Sequence, residues 1–317
     1  MRGYLGHASA CLVGFASLLL LGAAPACAAD LVLPAPPEGS PPTACAPVAT
    51  PGVSMVTLTE TFRDNFDDFE PLGRRWRTHY NHNPGTYWQS RTLEPNVERQ
   101  IYVDPGYTGS GSAPLGLDPF SVSDGVLTIR AKPVPEDLRA TLHDFPYMSG
   151  MLNSTGTFTQ LYGYFEIRAR LPSGQGIWPA FWLLRPGMWP PEIDVMEYLG
   201  GRPTTIHSTV HWSGASQPEA SGCKTERDDL TTAFHTYGVL WRAEDLTFYI
   251  DRVPVGRIAS KPGLDEPMYM LANLAVGGKW GGDPDATTPF PADYQIDWIA
   301  AYAVAPSGTR ATGSPRQ

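Results

Sequence analysis

The stretch that most constrains this chain is Glu192-Ile193-Asp194-Val195-Met196-Glu197, set between Trp189-Pro190-Pro191 and Tyr198-Leu199-Gly200-Gly201. Three acids interleave with three apolar residues, and prolines and glycines bound the run at the length of a β-strand. Regular alternation sends Glu192, Asp194 and Met196 to one face and turns Glu197 to the other. That register exposes a methionine and buries a glutamate. One extra residue, a β-bulge at Val195-Met196, returns Glu197 to the face of Glu192 and Asp194.

Glu192 and Glu197 then stand roughly 13 Å apart along the backbone, at ~3.3 Å per step. Side chains that lean inward bring the carboxyls to on the order of 5 Å, the separation at which one attacks a sugar and the other protonates the leaving oxygen. An inverting pair needs ~6.5–9.5 Å to admit a water. Two other readings use the same residues: a solvated polar strand face, and a hard-metal site built on three carboxylates.

Residues 1–28 read as a secretory signal peptide, with Arg2, an apolar run from Leu12 to Ala24, and an Ala26-Cys27-Ala28 cleavage site. Cys27 raises a lipoprotein alternative, but Ala24-Pro25-Ala26 lacks the leucine usual before such a cysteine, so a secreted or periplasmic product is expected. Processing leaves 22 basic and 32 acidic residues, a net charge of −10. That balance argues against nucleic acid and anionic membranes and for a neutral substrate. Cys45 and Cys223 survive processing and either pair in an oxidising compartment or stay as two thiols.

Residues 29–55 are Pro- and Ala-rich without periodicity and read as a disordered or polyproline-like linker; residues 306–317 read as a disordered tail. Between them, residues 56–305 form one domain whose signal is all-β. Short runs rich in Val, Ile, Tyr, Phe, Trp and Thr alternate with turn residues, as in Gly125–Ala131, Tyr162–Leu171, Thr205–Trp212, Thr236–Arg242, Leu246–Asp251, Tyr269–Val276 and Tyr294–Ala303. Many short strands at this spacing predict a two-sheet sandwich or jelly roll.

Several segments, in order, carry a family resemblance. They are Asn96-x-Glu98-x-Gln100-x-Tyr102, Asp124–Ala131, Tyr162–Pro172, Gly176–Leu184, the acidic hexapeptide, Phe234–Trp241 and Leu271–Trp280. Together they resemble glycoside hydrolase family 16, in particular its laminarinase-like endo-β-glucanases with an E-x-D-x-x-E motif. The resemblance spans roughly Leu58 to Tyr302. It implies a concanavalin A-like jelly roll of two antiparallel sheets with a concave substrate groove. It also implies an enzyme that cuts β-1,3 or mixed β-1,3/1,4-glucan with retention, as a monomer whose partner is a polysaccharide. The chain departs from the pattern at Asp104–Phe120 and Ser213–Asp229, two segments able to shape the groove.

The resemblance assigns Glu192 as nucleophile and Glu197 as acid, then base, with Asp194 between them to orient Glu192; no cofactor is needed for the chemistry. Tryptophan covers the apolar face of a sugar ring. Trp178 and Trp182 share a strand face, Trp280 sits in a Gly-flanked loop, and each is a platform or, alternatively, core. His211 is placed near the acids by family position, and Asn96, Glu98 and Asn273 are polar candidates on the same ground. Asp297 is expected to join a structural Ca²⁺ site like that of many relatives, or else an ion pair. The same family also contains transglycosylases, galactan hydrolases and glucan binders without activity; the three acids speak against the last.

Overall fold

The computed structural model describes residues 30–37, 54–70 and 74–305; the signal peptide and the tail expected from the sequence lie outside them. In chain order the strands begin β1 Asp30–Ala35, β2 Ser54–Asp64, β3 Gln100–Tyr102, β4 Phe120–Ser123, β5 Val126–Pro133, β6 Tyr147–Ser149, β7 Met151–Asn153, β8 Gly163–Arg170 and β9 Ile177–Leu184. They continue with β10 Glu192–Tyr198, β11 Thr205–Ser213, β12 Pro218–Glu226, β13 His235–Trp241, β14 Asp245–Ile250, β15 Val253–Ala259, β16 Tyr269–Val276 and β17 Ala292–Val304. Every strand expected from the runs above is present, with its ends displaced by a few residues at most.

Two sheets form the jelly-roll sandwich. The smaller runs β12-β11-β10-β9-β16-β7, with the acidic hexapeptide as β10 near its centre. The larger runs β15-β14-β13-β8-β17-β5-β6-β3, with β2 extending the line of β5 along β17 and β1 pairing with β2. Alternate residues meet between the sheets: Ile193, Val195, Phe181, Leu183, Met270 and Leu274 from one, Phe165, Ile167, Val239, Trp241 and Ile299 from the other. Trp241, unlike the other tryptophans of interest, belongs wholly to this core. Burial of these side chains is the main favourable contribution to the sandwich.

The N-terminal segment departs from expectation. Residues 30–35 are not a tether but strand β1, antiparallel to β2 with Asp30 opposite Thr59 and Ala35 opposite Ser54. Leu33, Ala35 and Leu58 bury against Tyr164, Leu240, Tyr249, Ala300 and Tyr302, which alternation turns to the outer face of the larger sheet. Tyr249 donates its hydroxyl to the Pro34 carbonyl at 2.9 Å, and the Arg242 guanidinium donates to the Pro36 carbonyl at 3.3 Å. Arg242 is itself paired with buried Asp245, which also meets Arg257. The strand seals a second, smaller core.

Cys223, in β12, is disulfide-bonded, which removes the reading of two free thiols; its partner lies outside the described residues, as does Cys45. Asn153-Ser154-Thr155 matches the N-x-[ST] glycosylation pattern, but the asparagine is committed inside the fold. Its side chain is fully buried, with Nδ2 donating to the His79 carbonyl at 3.0 Å.

If β1 is structural, Leu33→Ala loses a buried leucine and costs about 2–5 kcal/mol of stability, readable by urea unfolding. A change within about 0.5 kcal/mol, the range of surface substitutions, would return the segment to a tether.

Candidate active site

β10 is hydrogen-bonded on both sides, to β9 and β11, so its register fixes where each acid points. Against β9, Asp194 faces Trp182 and Glu197 faces Ala180; against β11, Glu192 faces His211, Asp194 faces Thr209 and Glu197 faces His207. Three steps on β10 from Asp194 to Glu197 therefore match two on either neighbour, which is a bulge. Val195 and Met196 both turn into the core, where they are buried side by side. The Ser208 hydroxyl donates to the Val195 carbonyl at 2.9 Å, satisfying an oxygen at the irregular point of the ladder. Glu192, Asp194 and Glu197 emerge together on the opposite face.

Each acid has a defined partner. Glu192 Oε2 accepts from Trp189 Nε1 at 3.0 Å, and Glu197 Oε1 accepts from Trp178 Nε1 at 3.2 Å. His211 Nε2 lies 3.1 Å from Asp194 Oδ2 and 3.7 Å from Glu192 Oε1. Burial, then the charge of Asp194, pushes the pKa of both glutamates well above the usual carboxylate range, and Glu192 is raised further by Glu197. The tryptophan N–H groups oppose this by stabilising the anions. Burial works to lower the His211 pKa, but Asp194 more than offsets it, so the imidazole holds its proton above its ordinary range.

The expected aromatic residues gather around this triad, though not all as bare platforms. Trp182 is mostly buried and donates Nε1 to Asn273 Oδ1 at 2.7 Å; Asn273 in turn donates to the Tyr102 hydroxyl at 2.9 Å. Asn273 is thus committed beneath the floor and holds Trp182 in place. Trp280 is 42% exposed, and its ring meets the edges of Trp178 and His207 at 5.1 and 4.8 Å. The loop that carries it leaves β16 through Gly277 and Gly278, both at positive φ, a conformation that glycine adopts without strain.

Glu98 is buried rather than presented to the groove. It accepts from Asn96 Nδ2 at 3.0 Å, Gln100 Nε2 at 2.6 Å and the Leu93 amide at 3.3 Å, and burial raises its pKa. Its place is behind the wall made by Leu93, Pro95 and Asn96. Asn96 itself lines a cleft of about 680 Å³ that opens beside Glu192 and is bounded by Tyr80, Trp182, Met188 and Trp189.

Asp297 forms an ion pair with Arg168, whose strand β8 runs beside β17 in the larger sheet. Of the two readings of Asp297, this is the ion pair. Among the described residues, the one group of three acid or histidine side chains close enough to share an ion is Glu192, Asp194 and His211.

Three participants escaped the sequence reading. Trp189 precedes the strand and reaches forward to Glu192. His207 needed only the pairing of β11 with β10, since it lies opposite Glu197. Tyr80, from a loop, packs edge-on to Trp182 at 6.1 Å, and no local signal marked it.

The raised glutamates carry a stability signature. An acid whose native pKa exceeds its unfolded value, ~4.3 for Glu, costs stability as pH climbs from the unfolded value through the native one. Glu197→Gln should therefore melt above the parent protein, with the gap opening as pH rises above about 4. Thermal unfolding across that range tests it, and a gap that narrows with rising pH would contradict the assignment.

With this geometry in hand, comparison with known proteins is direct. The family model described as glycosyl hydrolases family 16 matches residues 118–300. An endo-1,3-1,4-β-glycanase, EglC, of Rhizobium meliloti (strain 1021) is 42% identical over 251 residues, covering 78% of this chain and 52% of the relative. A β-glucanase of Rhodothermus marinus is 35% identical over 243 residues, covering 66% of this chain and 80% of the relative. The crystal structure of the laminarinase catalytic domain from Thermotoga maritima MSB8 superposes with a TM-score of 0.64 at 27% identity, covering 78% of this chain and 99% of that one. The chain spans about half the length of the first curated relatives it matches. The bulged acidic strand, the two-sheet sandwich and these matches agree: the chain belongs to glycosyl hydrolases family 16.

Proposed function

We propose that this protein is a secreted endo-β-glucanase that hydrolyses β-1,3 or mixed β-1,3/1,4-glucan with retention of configuration. The observation that carries the reading is the emergence of Glu192 and Glu197 on one face of β10, with Asp194 between them and a cleft beside Glu192. The endo-1,3-1,4-β-glycanase and β-glucanase names of the relatives support the substrate class. Secretion rests on the N-terminal pattern of residues 1–28.

In this mechanism Glu192 attacks the anomeric carbon while Glu197 protonates the departing glycosidic oxygen. Trp189 Nε1 holds Glu192 Oε2, which leaves Oε1 to attack. Protonated His211, near both Glu192 and Asp194, lowers the repulsion between them. Glu197 is raised by burial and by Asp194, which keeps a proton available for the leaving group. Once the glycosyl-enzyme forms, Glu197 is an anion and draws the proton from an incoming water, which releases the sugar with its original configuration. Trp178 and Trp280 offer apolar faces to the sugars on the Glu197 side.

Two measurements decide it. Glu197→Gln, folded by circular dichroism, should lose about 10²–10⁴-fold in turnover of laminarin or barley glucan, and Glu192→Gln should retain no measurable turnover because it cannot form the glycosyl-enzyme. Proton NMR of the earliest products should show the β-anomer before mutarotation. An initial α-anomer would overturn retention, and normal turnover by either variant would remove that residue from the chemistry.

A further inference from the structure

We propose that Glu192, Asp194 and His211 form a binding site for a borderline divalent cation of the Zn²⁺ class, and that the bound ion shuts the enzyme off. Three observations converge on it. His211 Nε2 stands 3.1 Å from Asp194 Oδ2 and 3.7 Å from Glu192 Oε1, and the ligating atoms of all three residues lie within 4.8 Å of one another. A tetrahedral ion with bonds of about 2.0–2.2 Å holds its ligands roughly 3.4 Å apart; the two separations from His211 lie on either side of that edge, and the two carboxylates would close from within 4.8 Å.

Asp194 supplies the second observation. The residue is 4% exposed, and its buried Oδ2 meets no well-aligned hydrogen-bond donor, its one close polar contact being the ion pair with His211 Nε2 at 3.1 Å. A buried carboxylate oxygen held only by a poorly aligned imidazole is under-satisfied, and a cation that displaces the His211 proton would coordinate both groups. The third observation is access. Glu192 borders the open cleft, so three protein ligands would leave the fourth position to water, as in other open zinc sites.

The donor set selects the ion. One imidazole with two carboxylates suits Zn²⁺, Cu²⁺ or Ni²⁺, whereas Ca²⁺ and Mg²⁺ prefer an all-oxygen shell. Trp189 already occupies Glu192 Oε2, so the ion takes Oε1, the oxygen assigned to attack. Bound there, it withdraws the nucleophile and sits where the sugar ring must enter. Only this inhibition rests on the proposed glucanase activity; the binding site does not.

The test uses the full chain and Zn²⁺ alone, titrated by isothermal calorimetry in a non-coordinating buffer. One ion should bind per chain, unaffected by excess Ca²⁺. His211→Ala and Asp194→Asn should each weaken binding by at least about tenfold. His235→Ala, which removes an imidazole paired with Asp251 elsewhere, should leave it unchanged. His211→Gln, checked by circular dichroism, serves if the alanine variant does not fold. On glucan, Zn²⁺ should inhibit competitively, with full recovery on chelation. Absent binding, binding that survives both His211 substitutions, or inhibition that substrate cannot relieve would each overturn the proposal. Zn²⁺ binding of the expected pattern in a protein that cleaves no glucan would instead sink the glucanase reading and leave the site standing.

Discussion

The bulge at Val195-Met196 is the constraint on which the rest of the site depends. A strand alternates its faces, so an acid five residues after another points the wrong way unless the ladder gives up one position. Here the lost position is compensated on both sides. Val195 and Met196 fill the core between the sheets, and the Ser208 hydroxyl on β11 takes the Val195 carbonyl. The catalytic face therefore inherits its geometry from apolar packing on the other face of the same strand. Because β10 lies inside its sheet, with β9 and β11 hydrogen-bonded to either edge, it cannot relax to a regular register without breaking both ladders.

That geometry forces three carboxylates into a poorly solvated space, and the surroundings are arranged to manage the charge. Trp189 and Trp178 each give an indole N–H to one glutamate, while His211 brings a proton between Glu192 and Asp194. These contacts favour anions, whereas burial and mutual repulsion favour protons. The balance of the two lets neighbouring glutamates differ in protonation, which acid–base chemistry requires. Behind the floor, Glu98 ties Leu93, Asn96 and Gln100 together, and Asn273 joins Trp182 to Tyr102. Several polar residues expected at the substrate are thus occupied in holding up the surface that meets it.

The parts of this arrangement legible in the sequence were those governed by periodicity. Alternation disclosed the strands, and its failure at Met196 disclosed the bulge, because a methionine facing water beside a buried glutamate is an inconsistent pattern. What the sequence hid depends on contacts between distant segments. Asp30–Ala35 sits amid prolines and was read by composition, yet Leu33 and Ala35 obey the period of two and bury on the outer face of the larger sheet. Its depth comes from Tyr249 and Leu240, two hundred residues away in the chain, which no local rule weighs. Trp189 and Tyr80 reach the site from loops, whose direction periodicity does not describe. For Asp297 the sequence leaves a calcium ligand and an ion pair open, and the partner, Arg168, comes from the neighbouring strand, which a linear reading does not identify.

If the bulge alone carries the second glutamate to the groove, removing its extra residue should restore alternation without losing the acids. Deleting Met196 leaves Glu-Ile-Asp-Val-Glu, in which all three acids share one face of a regular strand. The most direct measurement is glucan cleavage by this variant, with folding followed by circular dichroism and product anomers by NMR. The account predicts a folded protein with detectable, retaining activity. The matching insertion of one alanine after Val195 should abolish activity, since Glu197 then turns toward the core. A folded deletion variant without activity, beside an active insertion variant, would contradict the claim that register places the catalytic pair.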